Sequence, residues 1–511
     1  MIGFLVVVFA LLSLLLPFSC PSWSTVRPIS LKMQAISIAL ALLSLTGSAL
    51  AVPAPVEPVP SPTVTAAPSL DDRDLIGDLT GAVNGVLGDA VGDINSALSK
   101  VGIGQLAGNQ AWSTISSALA QVTATKTQTN AASAISQLSS IHAAKPSANL
   151  FEFVAAIAAE GLTANSVTDL LGFVDGLASG QNSMSNVNIQ KPKDTIYPKK
   201  GNDPKYSVTE SSLRSAIYIP PAFKMGAVQP VILMPGTGAT GYFTYIGNYI
   251  KLLTGSSYAD PVWLNIPGYL LNDAQVNAEY AAYAINYIAS ITGKRVSIIG
   301  WSQGNIDLQW AFKYFTSTVK NTRNHIAISP DYAGTVNANL ICPDGLPCDP
   351  SVLQQQYKGT SNFIDKMRLN NGDSAYVPTT TVYSGLFDEI VEPQQGTGAS
   401  AFLNDARKVG VTNNYLQGIC PGLAGGSFYT HEGVLYNPIA FGLVKDALVN
   451  GGAGKTSRID VNRLCNQYLA DGLNVGDLLI TENSIVVAAL ALVLYTPKVT
   501  VEPAIKAYAT Y

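Results

Sequence analysis

The sequence predicts an α/β fold whose central sheet is mostly parallel and covered by helices, and three observations carry that expectation. From about residue 215 onwards, short apolar runs alternate with longer amphipathic stretches, the pattern that builds strand-helix-strand units. The apolar runs are continuous rather than alternating in polarity, as strands buried on both faces must be. One run, Val296 to Ile299, leads straight into Gly300-Trp301-Ser302-Gln303-Gly304 and a further amphipathic stretch. A sharp strand-to-helix turn there lifts the Ser302 hydroxyl to the carboxyl edge of the sheet, where sites in such folds form.

The chain has 511 residues, 47% hydrophobic and only 13% charged. An ordinary globular chain is about a quarter charged, so Ser, Thr, Asn, Gln and Gly must cover much of this surface. Thirty basic against 34 acidic residues give a net charge of −4. With no basic excess or cluster to neutralise phosphates, nucleic-acid binding is excluded as a leading reading. At roughly 150 residues per domain the length allows about three units, or one large domain with appendages.

Residues 1–51 read as a leader. Two apolar runs, Gly3 to Phe18 and Ile36 to Ala51, are each shorter than the roughly 20 residues of a membrane span, and the second ends in Ala49-Leu50-Ala51, a small-x-small cleavage signature. A possible upstream extension followed by a signal peptide, with Met33 as an internal start, predicts a secreted, extracellular protein; a retained signal anchor is the alternative. Residues 52–69 are a linker, held extended by prolines at 53, 55, 58, 60, 62 and 68.

Residues 70–200 read as a helical appendage or prosegment without visible chemistry. Leu75 to Leu98 has helical apolar spacing weakened by five interleaved glycines. Val167 to Leu177 is opened by Ser166-x-x-Asp169, which has the form of a capping box. Lys199-Lys200 is either a dibasic processing site or a pair of solvated lysines.

Residues 201–511 hold the α/β domain. Ala216 to Ile219, Pro230 to Met234, Val296 to Ile299, Ile326 to Ser329 and Thr380 to Ser384 read as strands. Asn272 to Ser290 and Gln303 to Phe315 read as helices. Ile485 to Tyr495 is an apolar run too short to cross a bilayer, so no stable membrane span is expected. Beyond the leader's Cys20 there are four cysteines, Cys342, Cys348, Cys420 and Cys465, which allow three pairings and suit an oxidising compartment.

The chemistry starts from Ser302, because the glycines two before and two after it let backbones pass closely at a strained turn. A serine hydroxyl needs a base, which in this chain order follows the serine and an acid. Of three histidines, His142 precedes the fold and His325 opens a strand, which leaves His431 in a glycine-rich stretch. The acid that orients the imidazole is read as Asp388, after the strand Thr380 to Ser384, with Glu389 and Asp331 as rivals. An oxyanion needs N–H donors from Gln303 and from the loop Pro235 to Gly241. That loop has no lysine of a phosphate-binding loop, and neither a metal nor an organic cofactor is expected.

From about 205 to the C-terminus the chain resembles the fungal lipase B family. The residues that carry the resemblance are Pro235-Gly236-Thr237-Gly238, Leu271-Asn272-Asp273, Trp301-Ser302-Gln303-Gly304, Pro330-Asp331-Tyr332 and Asp388-Glu389-Ile390-Val391. The resemblance implies an α/β-hydrolase fold and a secreted hydrolase of carboxylic esters, including triacylglycerols, that works without metal or cofactor. It implies Ser302 as nucleophile, His431 as base, Asp388 as acid, and Thr237 with Gln303 as the oxyanion hole. It also implies Trp301 as the floor of an alcohol pocket, Asp331 at the acyl side, and Thr244 where the family has a pocket serine. Ala239 is a second departure, so chain-length and stereochemical preference do not transfer. The family pattern suggests Cys420 paired with Cys465, leaving Cys342 with Cys348, and sets Ile485 to Tyr495 over the site mouth.

The expected partner is a lipid or ester substrate, met by a monomer at a lipid–water interface. A short-chain esterase or cutin-type polyester hydrolase is the near alternative. A catalytically silent surface or interaction protein is the alternative from another class.

Overall fold

The structure, a computed structural model, describes residues 121–144, 150–174, 180–343, 345–385 and 387–510, all within the unit spanning 71–511. The leader, the linker and the run Leu75 to Leu98 lie outside the described residues. Seven strands form one sheet: β1 (Ile217–Tyr218), β2 (Pro230–Met234), β3 (Asp260–Leu264), β4 (Val296–Trp301), β5 (Thr322–Ile328), β6 (Thr379–Tyr383) and β7 (Val411–Tyr415). Their order across the sheet is β1-β3-β2-β4-β5-β6-β7. Only β1, on β3, runs antiparallel; the five other pairings are parallel. The predicted fold class is the observed one.

β2, β4 and β6 are buried along their whole length, which is why their apolar runs were readable. β3 is just as buried but opens with Asp260-Pro261, residues rare in strands. Asp260 is tolerated there because its carboxylate accepts the Lys224 N–H at 2.5 Å, and Pro261 stands near the start of the strand. β7 is a polar edge strand, half-buried, on which the Asn413 and Asn414 amides bond to neighbouring chain.

Helices α1 (Ala131–Ala144), α2 (Leu150–Ala159) and α3 (Val167–Val174) come before the sheet. Ser166 caps α3 with half of the predicted capping box: its Oγ accepts the Asp169 N–H at 3.1 Å, but the Asp169 carboxylate takes the serine hydroxyl at 2.7 Å rather than the Ser166 backbone N–H. Two long helices cover the sheet, α4 (Ala274–Thr292) after β3 and α5 (Gly304–Tyr314) after β4. Asp273 caps α4, and Gly293, at φ 70°, ends it. After β7 come α6 (Pro438–Asn450) and α7 (Val475–Leu494).

The apolar run Ile485 to Tyr495 is the second half of α7, so the eleven-residue reading was too short. The helix has 20 residues and is apolar enough to cross a membrane by length and composition, yet 78% of its most apolar window is buried inside the fold. It is a core helix. Its first half, with Asp477, Thr481, Glu482, Asn483 and Ser484 buried, interrupts the apolar pattern and hid its length. At its far end the buried Lys498 ammonium bonds both Asp349 oxygens, at 2.8 and 2.7 Å, and the Leu492 carbonyl.

The N-terminal helices share the apolar core of β2, β4, β5 and α7. The segment between α2 and α3 is stitched to α7: the Ala164 N–H donates to Leu479 O at 3.2 Å, and the Asn483 amide to Asn165 Oδ1 at 2.9 Å. The irregular stretch beyond α3 is tied to β3 and to α4, since Trp263 Nε1 donates to Gln181 O at 2.8 Å and the Tyr287 hydroxyl to Gln190 O at 2.7 Å. Lys199 is exposed and Lys200 lies 3.5 Å from Asp194. Cys342 is bonded to Cys348 and Cys420 to Cys465, the pairing the family pattern implied.

Candidate active site

β4 lies in the middle of the sheet, so its carboxyl end opens at the centre of the edge where the β2, β5 and β6 loops converge. Ser302 follows β4 at φ 53°, in the left-handed region that non-glycine residues avoid. Two close approaches hold it there. A Cβ on Gly304 would run into the Pro235 carbonyl oxygen, and one on Gly236 would stand 2.7 Å from the Ser302 Cβ. The loop after β2 therefore packs directly on the elbow, and the Ser302 N–H is fixed to Ile328 O at 3.1 Å.

His431 is brought to this edge by the segment that leads into α6, and it is held at every polar atom but one. Its backbone N–H donates to Glu389 Oε2 at 3.0 Å. Its carbonyl accepts from Ser329 Oγ at 2.9 Å and from Trp301 Nε1 at 3.3 Å, and the Trp301 and His431 rings lie 5.1 Å apart. Nδ1 is 3.0 Å from both Asp388 oxygens. The Asp388 carboxyl is itself fixed by the N–H groups of Ile390 at 3.1 Å and Val391 at 2.8 Å. Nε2 is buried with no hydrogen-bond partner among the described residues. A proton on Nδ1, facing Asp388, leaves Nε2 as a free acceptor. Burial pulls the imidazolium down, but the Asp388 charge and hydrogen bond, with Glu389 and Asp331, outweigh it and raise His431 above its ordinary value.

The rival acids separate on geometry. Glu389 binds the His431 backbone rather than the ring. Asp331 is buried with neither oxygen hydrogen-bonded among the described residues, and burial first, then Asp388, raises it to about 7 against the opposing pull of His431. Of the other histidines, His325 is not at a strand start but inside β5, bonded through Nε2 to Asn305 at 2.9 Å and lowered to about 3 by burial. His142, on α1, lies 5.4 Å from the Phe428 ring.

Thr237 and Gln303 meet beside Ser302. Among the described residues neither backbone N–H has a hydrogen-bond acceptor, while the Thr237 hydroxyl lies 2.8 Å from the Gln303 amide oxygen. The loop that carries Thr237 rests on α7: at Gly238, φ 70°, a Cβ would lie 2.7 Å from the Ala488 Cα. Thr244 is fully buried and donates its hydroxyl to Thr240 O at 2.9 Å. Among the described residues no group of three or more His, Cys, Asp or Glu side chains could hold a metal ion.

Three carboxyls that sequence reasoning passed over or set aside lie behind His431. Glu432 and Glu482 are fully buried, and Glu389 has its Oε1 out of water although the residue is partly exposed. Tyr436 donates to Glu482 at 2.8 Å, but neither Glu432 oxygen finds a donor among the described residues. Glu432 and Glu482 face each other, and a hydrogen bond between two carboxyls requires a proton on one. Burial, then Glu482, pushes Glu432 well above the ordinary value; burial raises Glu482 to about 7, and burial, then Glu432, pushes Glu389 well up.

Folding thus favours the protonated carboxyls. Their contribution is complete below about 4.5 and is lost as pH rises through about 7 and beyond, because the unfolded chain then binds fewer protons. Melting temperature should therefore fall steadily on the alkaline side. Glu482→Gln, which gives Glu432 an amide donor, should flatten that fall by a few kcal/mol at pH 9 and change little at pH 5. Scanning calorimetry across pH checks this, and parallel curves for the two proteins would refute it.

The strained serine on a central strand-to-helix turn, with a histidine and an aspartate from later loops at the same sheet edge, defines an α/β-hydrolase fold. No family model matches the sequence. Over 313 residues, 60% of this chain and 87% of the relative, it is 30% identical to lipase B of Pseudozyma antarctica. It superposes on the crystal structure of Aspergillus fumigatus lipase B with a TM-score of 0.71 and 42% identity, covering 85% of this chain and 99% of that one. The chain belongs to the lipase B family.

Proposed function

We propose that the protein is a secreted serine hydrolase of carboxylic esters that cleaves triacylglycerols and related esters through an acyl-enzyme. The observation that carries the reading is the buried His431, clamped to Asp388 through Nδ1 with Nε2 unpartnered, beside a serine at φ 53°. His325 also leaves one ring nitrogen unpartnered, but its other nitrogen meets the Asn305 amide rather than a carboxylate. His431 alone among the described histidines combines a carboxylate on Nδ1 with a free Nε2, and an unstrained loop would not hold serine in that conformation.

Ser302 Oγ attacks the ester carbonyl carbon while its proton passes to His431 Nε2. The carbonyl oxygen becomes an oxyanion held by the N–H groups of Thr237 and Gln303. Collapse of the tetrahedral adduct breaks the ester C–O bond, and the imidazolium returns its proton to the departing alcohol. Water, deprotonated by the same nitrogen, then attacks the acyl-enzyme, releasing the acid and restoring Ser302. Trp301 floors the space for the alcohol and Asp331 borders the acyl group. Family membership supports the reaction class. The two disulfides and the Ala49-Leu50-Ala51 signature support secretion.

The test is a chain-length series run on the full chain, from soluble short-chain p-nitrophenyl esters to emulsified long-chain triacylglycerols. Release of fatty acid from triolein emulsions at rates comparable with those on medium-chain esters is the expected result. Activity confined to acetate and butyrate esters would make it a short-chain esterase, and no hydrolysis of any ester would refute the reading.

A further inference from the structure

We infer that Gln355 is a positioning residue of the oxyanion hole, holding the Thr237 hydroxyl and the Gln303 side chain in register from a third element of the fold. The inference rests on the reading of Ser302 as nucleophile and Thr237 as oxyanion donor. Gln355 follows the short helix Pro350–Gln354 and is buried. Its Oε1 lies 2.8 Å from the Thr237 hydroxyl, and its Nε2 donates to Gln303 Oε1 at 3.0 Å and to Ser351 O at 3.1 Å.

The orientation of each amide follows from this network. Gln303 Nε2 donates to Leu270 O at 3.0 Å, which turns Gln303 Oε1 toward Thr237 and Gln355. That oxygen already accepts from Gln355. The Thr237 hydroxyl has one proton and two amide oxygens at 2.8 Å. Among the described residues Gln355 Oε1 has no donor other than Thr237, so the proton is best spent there.

Gln355 thereby joins the loop after β2 to the elbow after β4, the two segments that must supply the donors. It is anchored in turn: its N–H donates to Ser351 O at 2.9 Å and its carbonyl accepts the Thr335 N–H at 2.8 Å. Donors fixed before the charge develops stabilise it without reorganising at the moment of reaction, which is where such a residue acts. Gln355 affects the transition state through Thr237 and touches no reacting atom.

Gln355→Met keeps length and burial but removes all three hydrogen bonds of the side-chain amide, and the freed Thr237 hydroxyl can turn to Gln303, so the fold is retained. Its kcat on a soluble ester should fall about 10- to 100-fold with KM within about threefold. Affinity for an alkyl boronic acid, which forms an anionic tetrahedral adduct, should weaken by the same factor as kcat. In a Thr237→Val background, where no hydroxyl remains to be positioned, the Gln355→Met effect should shrink to less than about threefold. Gln355→Leu replaces Gln355→Met if the latter does not accumulate.

An unchanged kcat, or the same loss with and without the Thr237 hydroxyl, overturns the inference. If the wild type hydrolyses no ester, or Ser302→Ala hydrolyses as fast as wild type, the ester-hydrolase reading has failed instead. The two failures are thus separable.

Discussion

Ser302→Ala is expected to lower kcat/KM for ester hydrolysis by about 10,000-fold or more, the size of loss seen when a residue acting as one unit with its base is removed. The expectation follows from the geometry around the elbow. Every other polar atom of His431 is held in place by Asp388, Glu389, Trp301 or Ser329, so deleting the hydroxyl leaves the rest of the site assembled. A residual rate from the oxyanion donors alone should remain above that of water. The companion variant Ser302→Gly should be equally inactive yet more stable by about 1 kcal/mol, because glycine adopts φ 53° without the Cβ clash that serine and alanine both carry. Melting temperatures of the three proteins check the second half of the prediction. A Ser302→Gly no more stable than Ser302→Ala would mean that the elbow carries no strain, and hydrolysis at the wild-type rate by either variant would refute Ser302 as nucleophile.

How much of this was legible in the sequence follows from where the information sits. β2 and β4 read correctly because strands buried on both faces are mostly apolar, with Ser297 the one polar residue of β4 before the elbow. The elbow read correctly because the Asn305 side chain crowds position 300 and the Pro235 carbonyl crowds position 304, leaving room only for glycine. β3 did not, since its buried Asp260 is neutralised by a backbone donor from residue 224, far along the chain. The first half of α7 was lost for a related reason: its Thr481 and Glu482 are polar yet buried, satisfied by groups in other elements such as Asn248 and Tyr436.

The same distinction holds within the site. His431 could be reached by elimination, because the chain has only three histidines, and Asp388 by its place after a strand. Glu432 adjoined the histidine without any mark of burial. Gln355, one of three consecutive glutamines at 354–356, had nothing to single it out. Its meaning exists only where three segments meet. The one available signal for the carboxyl cluster was Glu482 standing next to the apolar run of α7, since an acid on a buried helix face must find a partner or a proton.

The second large effect concerns Asp388. Asp388→Asn should cut kcat by roughly 10,000-fold near neutral pH, because an amide can present its NH2 to Nδ1 and force the proton onto Nε2, the nitrogen that has to accept from Ser302. Glu389 cannot take over, as its free reach is already committed to the His431 backbone. The pH profile supplies a second readout. In the wild type only the neutral imidazole is active, and burial, which disfavours the imidazolium, is outweighed by the Asp388 charge and hydrogen bond. The acid limb of kcat/KM should thus have its midpoint above 6.5, with activity lost as pH falls through it. Without the Asp388 charge the burial contribution has less opposition, and the limb should move to lower pH while the plateau collapses. Glu389→Gln, by contrast, keeps both Asp388 bonds to the ring and should lose less than about tenfold, with only a small shift of the limb. Equal losses for the two variants, or an acid limb in Asp388→Asn that stays at the wild-type midpoint, would refute Asp388 as the residue that orients and charges the histidine.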